Sequence, residues 1–154
     1  ISRNLELILC LSVADCCPIF IEDKKNNRIG LIHSGWKGTV NKIVINAVNS
    51  FLILGSNIND LIIFLGPSIG PCCYEVGPEI SDLFINNCKS KTNSSKYLID
   101  IKEQIKYDLL KYGLQNEQIK ISNICTFDNM NCESYRRDGD LSGRMIALMG
   151  KFNI

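Results

Sequence analysis

The sequence is unusually poor in histidine, since its 154 residues contain one, His33. Copper centres rely on imidazole ligands, and multicopper chemistry needs many of them, so this shortage argues against such a reaction. Long hydrophobic runs are lacking as well. The longest, such as residues 61–65, are far too short to span a bilayer, and no signal peptide is visible at the start.

A bias towards charge of one sign is also absent. Lysine and arginine number 17, aspartate and glutamate 16, and the net charge is +1. Neither sign forms a block, which excludes the basic surface of a typical nucleic-acid or membrane-surface protein. We therefore expect no nucleic acid and no membrane among the partners. The length and the 45% hydrophobic content predict one globular domain over residues 1–154.

Cysteine is abundant, with eight residues, but its spacing is not that of a disulfide framework or a zinc finger. Two pairs are adjacent, at positions 16–17 and 72–73, and no C-x-x-C unit occurs. The chain is also larger than most disulfide-dense secreted domains. These features predict free thiols in a reducing cytoplasm. The chain begins at Ile1 and enters a strand almost at once, so we interpret it as lacking an N-terminal region.

The hydrophobic pattern predicts strands and helices in mixed order. Strands are predicted at residues 5–13, 18–22, 28–33, 61–65, 97–99, 119–124 and 144–151. Helices are predicted at residues 39–54 with Thr39 as N-cap, at 78–88, and at 101–112 between the cap Asp100 and the stop Gly113. Residues 66–77, 89–96 and 134–139 are predicted to be loops. Because strict βαβ alternation is missing, we expect the α+β class with mixed sheets.

Cys16 and His33 are the first candidates for chemistry. They flank two strands that a polar turn at residues 23–27 connects, so pairing of the strands brings them towards the same end. A free cysteine is more often a small core residue, and a lone histidine more often structural. Loops that leave strands nevertheless tend to carry function. The pair would either share a metal ion or act as nucleophile and base.

Four motifs occur in order along the chain: ADC at 14–16, HSGWKG at 33–38, GPSIGPCCYEVG at 66–77 and SYRRDG at 134–139. Together they resemble the YfiH/LACC1 family, purine nucleoside phosphorylases formerly described as multicopper polyphenol oxidase laccases. The resemblance implies a four-layer α/β/β/α sandwich. It also implies a mononuclear zinc site of two histidines and one cysteine, or copper under the older description. Cys16 and His33 match two of these ligands, and the third lies in an N-terminal stretch outside these 154 residues.

The function that the resemblance implies is zinc-dependent phosphorolysis of adenosine, inosine and methylthioadenosine, with adenosine deamination as a second activity. Purine nucleoside and phosphate are then the partners. Asp15 would orient a metal ligand or cap a turn. Arg136 and Arg137 would hold phosphate, unless they form a solvated loop. Cys72 and Cys73 would line a pocket, although we favour a structural role for them.

Three alternatives stay open at this point. One is a Cys-His hydrolase or deamidase, with Cys16 as nucleophile and His33 as base. The second is a copper-dependent polyphenol oxidase, which the single histidine opposes. The third is an inactive remnant or binding module. With two ligands in place of three, we expect residues 1–154 to hold metal weakly at the Cys16–His33 site.

Overall fold

A computed structural model describes residues 1–4 and 6–151. In chain order its strands and helices are β1 (Ile8–Val13), β2 (Cys17–Asp23), β3 (Arg28–Ser34), α1 (Trp36–Val40), α2 (Ile43–Ile53), β4 (Leu61–Leu65), β5 (Glu75–Val76), α3 (Pro78–Ser81), β6 (Lys89–Lys91), β7 (Tyr97–Ile99), α4 (Ile101–Tyr112), β8 (Ile119–Ile121), α5 (Tyr135–Asp138) and β9 (Met145–Gly150). Of these helices, none in the described part of the chain is long and apolar enough to cross a membrane.

The strands form three sheets. A four-stranded sheet has the order β3-β2-β4-β8, in which β2 is antiparallel to both neighbours and β4 is parallel to β8. β1 pairs with β9 in a separate antiparallel sheet, and β5, β7 and β6 form a third. The predicted α+β class with mixed sheets is therefore confirmed.

The core lies between the four-stranded sheet and helices α2 and α4. Strand residues alternate between the two faces of a sheet, and Ile19, Ile21 and Ile63 are fully buried on the face that packs against Phe51 and Leu109 of these helices. The other face of β2 meets β9, and the residues that line a cavity there include Phe20 and Ala147. Burial of one face by helices and of the other by a second sheet fixes the register of the central strands.

The predicted helix over residues 39–54 is wrong, because the chain forms two helices there. Lys42 adopts a left-handed backbone conformation with φ 55°, which a continuous α-helix cannot contain. Thr39 is not an N-cap. It is buried inside α1, where its hydroxyl contacts Ser34 Oγ at 2.9 Å and donates to the Gly35 carbonyl at 3.0 Å. Gly35 is the N-cap of α1.

Several other predicted boundaries also differ. The helix at 78–88 ends at Ser81, and the Ile85 N–H donates to the Gln104 side chain at 3.0 Å, outside any helix. β8 ends at Ile121 rather than at position 124, and the predicted loops contain β5, β6 and α5. Position 5 of the first predicted strand lies outside the described residues. By contrast, α4 has the predicted bounds, and the Asp100 carboxylate accepts the Glu103 N–H at 2.9 Å.

The left-handed residue between α1 and α2 gives a test of the fold. A side chain in this conformation costs about 1–2 kcal/mol, and glycine avoids that cost. Lys42→Gly should therefore raise the free energy of unfolding by about 0.5–1 kcal/mol in urea denaturation. Ala47→Gly inside α2 is the control, and it should lower that free energy by about 1 kcal/mol. If both variants were destabilised equally, the break at Lys42 would not exist in solution.

Candidate functional site

One cavity collects a residue from each of the four sequence motifs. Its lining includes Cys16 from the connection between β1 and β2, Trp36 at the start of α1, Tyr74 in the loop before β5, and Arg136 in α5. These segments are far apart in sequence, and each lies beside the end of a strand or at the start of a short helix. The cavity is therefore the natural candidate for a functional site.

Asp15 connects the loops that form this cavity. Its side chain is 8% exposed, and its Oδ1 accepts the Thr126 hydroxyl at 2.6 Å. Its Oδ2 accepts the backbone N–H of Arg136 at 2.8 Å. The backbone carbonyl of Asp15 accepts the Ile69 N–H at 3.0 Å. Two loops and helix α5, from distant parts of the chain, thus bond to one residue, which holds them in a fixed relation.

The Cys16 thiol lies against Gly35. A methyl group added at Gly35 would lie 2.8 Å from Cys16 Sγ, so the absence of a side chain there leaves room for the sulfur. His33 precedes Gly35 by two residues on an extended backbone, and residues two apart point to the same face. Burial, together with the negative charge of Asp15, raises the pKa of the Cys16 thiol.

His33 lies at the edge strand of the four-stranded sheet. It is exposed, stands opposite Pro18 in the ladder between β2 and β3, and lines a groove beside α2. The cavity that contains Cys16 does not include His33 in its lining. The sharing of a metal ion by Cys16 and His33 accordingly stays a prediction, based on the face that they have in common.

The two adjacent arginines have different surroundings. Arg136 is exposed, its Nη1 donates to the Glu75 carbonyl at 2.7 Å, and its guanidinium lies 5.1 Å from the centre of the Tyr74 ring. A guanidinium has five N–H donors, and this is the one side-chain hydrogen bond recorded for it within the described residues. Arg136 therefore keeps donors for a ligand in the cavity.

All three nitrogen atoms of the Arg137 guanidinium donate hydrogen bonds within the protein. Its Nε and Nη2 bind both carboxylate oxygens of Asp138, at 2.9 and 2.8 Å. Its Nη1 and Nη2 also donate to four backbone carbonyls, those of residues 126, 127, 129 and 132. These bonds tie α5 to the segment that follows Cys125. The ion pair with Asp138 raises the pKa of the Arg137 guanidinium.

A second group of candidate ligands lies outside the cavity. The Sγ atoms of Cys72, Cys73 and Cys125 all lie within 4.8 Å of one another, and Cys72 and Cys125 line a different depression. All eight cysteines of the chain are free thiols. Sequence reasoning singled out Cys72 and Cys73 but missed Cys125. Its separation from them has no motif spacing, so nothing in the sequence pointed to it.

Comparison with known proteins gives consistent matches. The family described as "Multi-copper polyphenol oxidoreductase laccase" matches residues 1–151. The Bacillus subtilis protein named purine nucleoside phosphorylase YlmD is 35% identical over 96% of this chain and 55% of its own length. The human purine nucleoside phosphorylase LACC1 is 31% identical over 88% of this chain and 34% of its own length.

Among solved structures, the crystal structure of YlmD from Geobacillus stearothermophilus superposes with a TM-score of 0.92 at 31% identity. The match covers 98% of this chain and 59% of that one. It confirms the α/β/β/α sandwich class that the four motifs implied. The chain spans a little more than half the length of the bacterial relatives that it matches.

The bonds of Asp15 predict its contribution to stability. Asp15→Ala leaves a buried hydroxyl and a backbone N–H without their acceptor, and each loss costs about 1–3 kcal/mol. We expect the free energy of unfolding to fall by about 2–5 kcal/mol, and by a smaller amount in Thr126→Val, which removes one of the two bonds. Asp140→Ala, at an exposed position, is the control. A loss in Asp15→Ala no larger than in this control would show that the loops are not held through Asp15.

Proposed function

Because this chain belongs to the family described as multi-copper polyphenol oxidoreductase laccase, whose curated relatives are named purine nucleoside phosphorylases, we propose that its protein cleaves purine nucleosides with phosphate. Adenosine, inosine and methylthioadenosine are the proposed substrates, and deamination of adenosine is the proposed second activity. The cavity to which all four motifs contribute is the observation that supports this function most directly.

The ligand types that Cys16 and His33 offer fit a zinc ion. The thiol of Cys16, in the connection before β2, and the imidazole of His33, in β3, are ligands that zinc accepts. The bare Cα of Gly35 leaves space beside the sulfur. A bound zinc ion would supply Lewis acidity towards substrate or water. Copper is the alternative metal, and it rests on the family description alone.

Arg136 is the proposed phosphate-binding residue. The Glu75 carbonyl and the Tyr74 ring hold its guanidinium in place, so little side-chain entropy is lost when an anion binds. The Asp15 carboxylate fixes its backbone as well. In phosphorolysis a phosphate oxygen bonds to the anomeric carbon of the sugar as the bond to the base breaks. Arg136 would hold the phosphate for this attack through charge-assisted hydrogen bonds.

Arg137 has a different proposed role. Since its donors bind Asp138 and four carbonyls, no further donors are left for a paired clamp on phosphate. We assign it to positioning of α5, which carries Arg136. Of the two arginines, only Arg136 is therefore proposed to bind phosphate.

The Cys-His hydrolase is a weaker candidate. A cysteine nucleophile works as the thiolate, and catalytic sites lower the thiol pKa to make it available. Burial and the charge of Asp15 act in the opposite direction and raise the pKa of Cys16. Such a thiol suits a metal ligand better, because a bound cation promotes its deprotonation.

Product analysis tests the reaction. The protein would be assayed both as these 154 residues and joined to the N-terminal region of the Bacillus subtilis relative, to supply the expected histidine ligand. With adenosine and phosphate, the extended form should give adenine and ribose 1-phosphate, and some inosine, by chromatography. Cys16→Ala should abolish these products, whereas Cys10→Ala, at an exposed site away from the cavity, should not.

Release of base at an unchanged rate without phosphate would make the enzyme a hydrolase. Oxidation of phenols without turnover of nucleosides would make it an oxidase.

Substitution of the two arginines separates binding of phosphate from positioning. In the extended form, Arg136→Ala should slow phosphorolysis about ten- to hundredfold, since a hydrogen bond to a charged group contributes about 1.5–3 kcal/mol. Deamination needs no phosphate and should be nearly unchanged. Arg137→Ala should lower both activities together and also reduce the free energy of unfolding. Arg3→Ala, at an exposed position that does not line the cavity, is the control. An equal loss of both activities in Arg136→Ala would contradict the assignment.

A further inference from the structure

Three thiols lie close together beside the turn that carries Tyr74, and none of them lines the Cys16 cavity. Cys72 Sγ lies 3.3 Å from Cys73 Sγ, and the Cys125 sulfur completes a group in which every separation is at most 4.8 Å. Two thiolates on one zinc ion, each at about 2.3 Å, stand about 3.8 Å apart in tetrahedral geometry. The three sulfurs therefore already have nearly the spacing that a single metal ion requires.

A backbone N–H group points at the Cys125 sulfur. The sulfur accepts the backbone N–H of Gly70 at 3.2 Å. Backbone N–H donors of this kind also stabilise sulfur ligands in metal centres.

The backbone around the three thiols is held from both sides. The backbones of Ser68 and Cys125 pair in an isolated parallel β-bridge. The Thr126 N–H donates to the Ser68 carbonyl at 3.1 Å. A methyl group at Gly70 would lie 3.2 Å from Cys125 Cβ and 3.4 Å from Cys72 Sγ, so glycine permits this close approach. The ligands are thus positioned before any ion binds, which reduces the cost of ordering them.

We propose that Cys72, Cys73 and Cys125 bind one thiophilic metal ion, zinc(II) or copper(I), at a site separate from the Cys16 cavity. All three members of the group are sulfur ligands, and soft thiolates select these metals over magnesium, calcium or manganese. A disulfide is not the reason for the group, because a bonded pair of sulfurs is about 2.05 Å apart and Cys72 and Cys73 are not bonded.

The ion would act as a cross-link. Cys72 and Cys73 belong to the loop before β5, and Tyr74 follows them directly in the sequence. Cys125 directly precedes Thr126, whose hydroxyl donates to the Asp15 carboxylate. Joining these two loops would stiffen the part of the Cys16 cavity that Tyr74 lines and the segment that holds Asp15, without placing the ion inside the cavity. Binding to the folded state alone also raises stability, in proportion to the logarithm of free metal over Kd.

Metal titration of the 154-residue protein tests the proposal. Reduced protein would be loaded with zinc, with cobalt as a spectroscopic substitute, or anaerobically with copper(I), and metal per chain measured after removal of free ions. We expect about one ion per chain and sulfur-to-cobalt charge-transfer absorption in the near ultraviolet. Cys72→Ser and Cys125→Ser should each weaken binding by more than the roughly 10–100-fold that loss of an outer-shell partner costs.

The controls separate this site from the proposed catalytic one. Cys10→Ser, at an exposed thiol outside the group, should bind metal as the unaltered protein does. Cys16→Ala should also keep the ion, although it abolishes the activity of the extended form. Cys72 is exposed, so its serine variant should fold, and circular dichroism would check this. Added metal should raise the Tm of the unaltered protein and not that of Cys72→Ser.

The two metals are distinguished by competition with chelators of known affinity, and preference for either one supports the site. If neither metal is retained, or if Cys72→Ser and Cys125→Ser bind as tightly as Cys10→Ser, the proposal is overturned. Loss of the ion in Cys16→Ala would also overturn it, since the metal would then belong to the Cys16 cavity.

Discussion

The candidate site depends on the hydrogen bonds that the buried carboxylate of Asp15 accepts. This carboxylate accepts one hydrogen bond from Thr126 and another from the backbone of Arg136, residues more than a hundred positions away. A buried acceptor of this kind is costly to leave unpaired, so each of the two donors contributes to the stability of the fold. The same bonds that satisfy Asp15 therefore close the cavity and place Arg136 beside Cys16.

The scaffold explains why the motifs meet. The central sheet is covered by helices on one face and by the β1–β9 sheet on the other, so its loops emerge at the strand ends rather than over a face. Motif residues at the ends of β1, β3 and β4 consequently share one region. The short helix α5 completes it from the C-terminal part of the chain. In many proteins, functional residues lie on loops that a rigid core holds in position.

Neighbouring residues of the same type can have different roles, as the arginine and cysteine pairs show. Arg136 has N–H donors available for a ligand, whereas the N–H groups of Arg137 bind Asp138 and backbone carbonyls. Cys16 lines the cavity, but Cys17 is completely buried in the core, and burial raises its pKa to about 12. In each pair the adjacent side chains have different partners, so the chemistry of one says little about the other.

The sequence by itself determined the class of fold, the four motifs and several elements. Strand β4 and helix α4 have the predicted bounds because local signals define them: a short apolar run in one, and an Asp100 cap with a Gly113 stop in the other. The break at Lys42 has no such signal, since lysine rarely adopts a left-handed conformation. Helix α3 likewise ends early because a side chain of α4 takes the Ile85 N–H.

What only the tertiary structure decided is which side chains meet. The sequence marked Asp15, Cys16, Arg136 and Arg137 as candidates, but the hydrogen bonds that separate the roles of the arginines join residues through space. Cys125 carried no local signal, and its proximity to Cys72 and Cys73 arises from the bridge between Ser68 and Cys125. Periodicity and turn chemistry report on neighbours along the chain. Contacts between loops depend on the packing of the whole domain, because that packing sets where the strand ends lie.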